Sequence, residues 1–225
     1  MIKAVIFDFD GVILESADIK TEAFRKLFES RFPGHIREIV EYHKKNMGIS
    51  RFVKFKYIYN RFSSKELSPQ KEALLGDEFS KIVFERILNA PMAQGAAEFL
   101  KKNHEKYLLF VASGTPKEEL IDIMERRDLL RYFKEVFGSP EAKADIIRQV
   151  SKKYGLHSSE IVFIGDAESD YKAAGSTRVN FIAKITPSSD LKQCAYHISN
   201  LNEINSILNQ LNKDLNGHEN RKIRL

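Results

Sequence analysis

The chain opens on a short apolar run, Lys3 to Phe9, rich in β-branched residues. It predicts a buried strand. From Ser16 to Asn89 the apolar spacing becomes helical. Ile19, Ala23, Phe24, Leu27 and Phe28 form one stripe, stopped by Pro33-Gly34. Ile36, Ile39, Val40, His43 and Met47 form a second, ended by Gly48; Phe52, Phe55, Ile58, Tyr59 and Phe62 form a third. Ser68-Pro69 reads as an N-cap with a first-turn proline, opening a helix that runs to Ala90-Pro91. After Pro91 strands and helices alternate. Strands are predicted at Tyr107–Ala112, Glu135–Phe137, Ile161–Ile164 and Asn180–Ala183, and a terminal helix at Leu201–Leu215.

Apolar strands alternating with helices predict an α/β fold, a Rossmann-like parallel sheet with helices on both faces. The helical stretch after the first strand is too long for a connection and predicts an inserted helical domain. The expected division is a core of residues 1–15 and 91–215, a helical insert of 16–90, and a flexible polar tail of 216–225. Hinges are expected at Ser16–Glu22 and near Ala90-Pro91.

Composition changes this picture little. The 225 residues carry 43% hydrophobic and 30% charged side chains, which excludes a disordered chain. No apolar run reaches the length of a membrane span, and the N-terminal stretch lacks a signal-peptide pattern. Cys194 is the single cysteine, so no intrachain disulfide forms. A cytoplasmic location is the expectation. The net charge of +5 is concentrated between Glu41 and Glu66, where seven basic residues face two acids among interleaved aromatics. That segment is read as a helical bundle with a basic face, as a surface for an anionic small molecule, or as a nucleic-acid patch. No nucleic-acid motif accompanies it.

Ligands of parallel sheets bind beyond the carboxyl ends of the strands. Those ends carry Asp8-Phe9-Asp10-Gly11-Val12, Ser113-Gly114-Thr115, a helix beginning near Lys143, and Gly165-Asp166-Ala167-Glu168-Ser169-Asp170. Clustered carboxylates repel unless a cation joins them, and an all-oxygen donor set selects Mg²⁺ over zinc or copper. Hydroxyls and a lysine beside such a cation suit phosphoryl transfer.

These motifs, in order and spacing, resemble the four motifs of the haloacid dehalogenase-like superfamily. The helical insert resembles the C1 cap of its phosphoglycolate phosphatase and β-phosphoglucomutase-like branch. The resemblance implies that Asp8 is the nucleophile and that Asp10 is the general acid and base. It implies a Mg²⁺ held by Asp8, the Asp10 carbonyl, Asp166 and Asp170. Ser113, with Gly114, Thr115 and Gly11, would bind the phosphoryl group, and Lys143 would neutralise it. The acid at position 10 argues against dehalogenase and phosphonatase chemistry. The segment Gly48-Ile49-Ser50-Arg51 resembles the substrate loop of β-phosphoglucomutases, with Arg51 gripping a second anionic group. Lys20 stands where mutases carry histidine, and Glu15 where the wider group often has aspartate. The expected activity is therefore hydrolysis of a small phosphorylated metabolite such as a sugar phosphate, with mutase chemistry the alternative. Oligomeric state is not legible in the sequence.

Overall fold

The computed structural model describes residues 1–186 and 189–222, with side chains through residue 215. Among these residues six parallel strands form one sheet. They are β1 (Ala4–Phe7), β2 (Leu108–Pro116), β3 (Glu135–Ser139), β4 (Ile161–Gly165), β5 (Asn180–Lys184) and β6 (His197–Ile198), in the order β3-β2-β1-β4-β5-β6. β1 lies between β2 and β4: Phe7 pairs with Val111 on one side and Ile164 on the other. Asp8 and Gly165-Asp166 thus leave the sheet at one level, beside Ala112-Ser113. This is also where the strand order reverses direction, between β1 and β4, and such a crevice is where open α/β sheets bind ligands.

The strands are apolar throughout because both faces are covered. Val5, Phe7, Leu109, Val111, Val162 and Ile164 pack to one side; Ala4, Ile6, Phe110, Ala112, Ile161 and Phe163 pack to the other. All twelve are fully buried. On the first side lie α5 (Ala96–Asn103), α6 (Lys117–Arg126) and α9 (Ile204–Lys222), through Phe99, Leu100, Leu120, Ile123, Ile204 and Leu208. On the second lie α7 (Lys143–Tyr154) and α8 (Glu168–Thr177), through Ile146, Ile147, Val150, Ala173 and Ala174.

Between β1 and α5 the chain forms α1 (Ala17–Phe28), α2 (Ile36–Lys45), α3 (Arg51–Phe62) and α4 (Pro69–Leu88). Their stripes meet in an aromatic core of Phe24, Phe28, Phe55 and Phe79. Ser68 accepts the amide of Lys71 at 3.3 Å and caps α4, as its sequence predicts. The block enters and leaves by a narrow neck. The Glu15 amide donates to the Pro91 carbonyl at 3.0 Å and the Ala93 amide to the Ile13 carbonyl at 2.9 Å, on either side of a Leu14–Met92 bridge. Arg127, just after α6, donates to the carbonyls of Ile87, Leu88 and Ala90 at the end of α4.

Three elements differ from the sequence pattern. β2 does not stop at Ala112; it stays extended to Pro116, which pairs with Ser139 after a register shift. β6 has two residues, too few for a periodicity to show. α9 continues past Leu215 to Lys222, because one internal glycine, Gly217, costs a helix only about 1 kcal/mol. The remainder of the expected tail, residues 223–225, lies outside the described residues. No described helix is long and apolar enough to cross a membrane.

Candidate active site

Asp8 follows β1 directly and is almost wholly buried. Its Oδ1 accepts the Phe9 amide at 2.7 Å, and Lys143 Nζ lies 2.9 Å from its Oδ2. Lys143 opens α7 and also reaches Asp170 Oδ1 at 2.5 Å. Asp170, in the first turn of α8, takes the Ala167 amide on its other oxygen at 3.1 Å. Asp166 follows β4. Ligand oxygens of Asp8, Asp166 and Asp170 lie within 4.8 Å of one another. One lysine faces three carboxylates, so negative charge is in excess.

That excess is visible in the protonation equilibria. Burial, then the charges of Asp170 and Asp10, push Asp8 up to about 7 against the pull of Lys143. Burial, followed by Asp8 and Asp170, holds Asp166 well above the ordinary carboxylate range. Lys143 is pushed down by burial, yet the two carboxylates beside it leave it above its usual value. A divalent cation would relieve this repulsion, and three carboxylates without His or Cys are donors that suit Mg²⁺. Gly11 (φ +83°) makes room for the cluster: a Cβ there would overlap the Asp166 carboxylate.

Asp10 turns its carboxylate away from this cluster. It accepts from Ser16 Oγ at 2.7 Å and Thr115 Oγ1 at 3.0 Å, and pairs with Lys20 Nζ. Lys20 also reaches Thr115 Oγ1 at 2.6 Å. Burial alone would raise Asp10, but the charge and hydrogen bond of Lys20, with the two hydroxyls, hold it below its usual value. Ser113 is buried beside Asp10's partner: Ser113 Oγ lies 3.2 Å from Thr115 Oγ1 and accepts the Thr115 amide at 3.1 Å.

The helical block covers this mouth. Gly48 (φ +76°) presses backbone onto it: a Cβ there would stand 2.9 Å from Lys143 Nζ. Across the gap, a Cβ on Gly114 would stand 2.7 Å from the Gly48 carbonyl oxygen. Ser169 Oγ donates to the Met47 carbonyl at 2.8 Å. Arg51 is buried and bidentate to Glu119 of α6, at 2.9 and 2.6 Å, with Ser80 also bound to that carboxylate. A cleft of about 500 Å³ remains, lined by Asp8, Asp10 and Asp166 on the sheet side and by Lys20, His43, Arg51 and Lys54 on the helical side. Of the basic residues expected to share one face, Arg51 and Lys54 are buried toward this cleft, while Lys44, Lys45, Lys56 and Arg61 face solvent.

Residues 5–184 match the family model for haloacid dehalogenase-like hydrolases. The chain belongs to that family. This hydrolase is 24% identical over 191 residues to a phosphorylated carbohydrates phosphatase of Thermotoga maritima, covering 83% of this chain and 86% of that one. Among solved structures, a β-phosphoglucomutase from Clostridium difficile superposes with TM-score 0.77 at 21% identity, covering 96% of this chain and 99% of the other. A predicted phosphoglycolate phosphatase from Haemophilus somnus gives 0.72 at 16% identity, covering 92% and 98%. At these identities the superpositions show a shared fold.

Several residues of the hydrolase site carried little sequence signal. Lys184 closes β5 and donates to the Gly11 carbonyl at 2.7 Å and to Glu15 at 2.9 Å. Its position at a strand end was the available clue. Glu119, in the first turn of α6, reads from sequence as a dipole-stabilising acid. His43 and Lys54 read as members of helical stripes.

Proposed function

We propose that this hydrolase is a Mg²⁺-dependent phosphatase of a small phosphorylated carbohydrate, working through an aspartyl-phosphate on Asp8. The observation that carries the reading is the meeting of Asp8, Asp166, Asp170 and Lys143 at one end of the parallel sheet. The resemblance to a phosphorylated carbohydrates phosphatase supports the substrate class.

Asp8, Asp166 and Asp170 would hold the cation, which supplies charge neutralisation as two anions approach. Lys143 aligns the Asp8 oxygen and offsets charge on the phosphoryl group. An Asp8 oxygen forms the bond to phosphorus as the ester P–O bond breaks, and protonated Asp10 gives its proton to the departing alkoxide. Ionised Asp10 then takes a proton from water as that water attacks phosphorus, releasing inorganic phosphate and restoring Asp8. Ser113 and the Gly114 amide bind the phosphoryl oxygens. The helical block, residues 16–90, serves as a cap that excludes bulk water while the acyl phosphate exists.

Phosphate release from a panel of phosphorylated sugars, with Mg²⁺ and with excess EDTA, tests the proposal. Activity that survives both chelation and Asp8→Asn would overturn it. Sugar-phosphate isomer formed in excess over free phosphate would replace hydrolysis with mutase chemistry.

A further inference from the structure

The cation nearest the aromatic wall of the cleft has no counter-ion. Lys20 pairs with Asp10 and Arg51 with Glu119, but Lys54 has no carboxylate within 4 Å among the described residues. It is only 3% exposed. Its Nζ lies 3.1 Å from His43 Nδ1 and 5.3 Å from the centre of the Phe24 ring. His43 is equally buried and stacks on Phe24 at 4.2 Å. Both residues line the cleft that holds Asp8.

The pair is chemically ordered. Burial, then the charges of Lys54 and Lys20, drive His43 down to about 2, so its ring is neutral. Its Nδ1 then accepts from the Lys54 amine, which leaves the proton on Nε2. That buried Nε2–H has no hydrogen-bond partner. A buried ammonium without a carboxylate and a buried N–H without an acceptor are both costly, and a folded chain seldom keeps either without use.

We infer that Lys54, positioned by His43, is the specificity-determining cation for a carboxylate at the end of the substrate remote from phosphorus, so that phosphorylated sugar acids are preferred. One amine matches one negative charge, and the walls around it, Phe24, Phe79 and Ile49, are apolar. A dianionic second phosphate would need more donors than this end of the cleft offers. The inference rests on the phosphatase reading.

The test compares 6-phosphogluconate with glucitol 6-phosphate, which differ only in a carboxylate against a hydroxymethyl group, and uses 4-nitrophenyl phosphate as a control. Wild type is expected to favour the acid by at least about tenfold in kcat/KM. Lys54→Met is expected to raise KM for the acid by about tenfold or more and to leave turnover of 4-nitrophenyl phosphate near wild type. Lys54→Arg restores part of the preference. The melting temperature of Lys54→Met stays level or rises, since an unpaired buried charge is removed. Equal kcat/KM for the two sugar phosphates in wild type would overturn the inference without need of any variant. So would a Lys54→Met protein that melts lower and loses both activities alike. Absence of phosphate release from all three compounds in wild type would overturn the phosphatase reading and this inference with it.

Discussion

Arg51 and Glu119 join the helical block to the sheet domain through two parallel hydrogen bonds in a nearly water-free contact, their side chains 4% and 9% exposed. Breaking one half of such a pair leaves the other charge buried. Arg51→Met and Glu119→Leu are each expected to cost about 3 kcal/mol, while the double variant recovers most of that loss. Denaturant titration of the three variants measures the coupling; additive losses would show that the pair contributes nothing of its own.

Asp8→Asn separates chemistry from stability. Phosphate release should fall by at least about 10³-fold, since the attacking oxygen is lost. In EDTA near pH 8 the same variant should melt a few degrees higher, about 2–5 °C, because one of three crowded carboxylates becomes neutral. Activity assays and thermal melts on one preparation check both halves.

Metal and proton compete for the same cluster. Asp8 is pushed up to about 7 in the folded protein, far above its range in an unfolded chain. Its protonation therefore contributes stability that is complete below about pH 4 and is lost as pH rises through about 7. The rise in melting temperature on adding millimolar Mg²⁺ should accordingly grow between about pH 5 and pH 8. A metal-induced shift of the same size at both pH values would contradict this.

The sheet was legible because covered parallel strands are written as unbroken apolar runs, and β1 and β4 fall within two residues of where those runs place them. Asp8, Asp166, Asp170 and Lys143 were legible for the same reason: parallel register carries residues that follow different strands to one edge. Arg51 was read as a substrate contact from its loop, whereas its partner Glu119 lies 68 positions away and no local pattern links them. The burial of Lys54 and His43 arises only when α1, α2 and α3 close around them, and a helical stripe does not tell a buried amine from a solvated one.

Lys20 sets the poise of Asp10. Its charge holds the Asp10 carboxyl below the usual value. In Lys20→Met the carboxyl should rise, so the acid limb of the kcat profile moves to higher pH and kcat drops by about tenfold. A pH–rate series on the variant measures this; an unmoved acid limb would mean that Asp10 does not govern it.

The two strands of chain that cross between Ile13–Glu15 and Pro91–Ala93 lie hydrogen-bonded side by side. To the rest of the molecule, everything grafted there counts as a hairpin tip. Selectivity and reactivity thus sit on separable modules: one lineage of such enzymes can trade its lid for another and acquire new preferences, while the phosphorus chemistry beneath is inherited untouched.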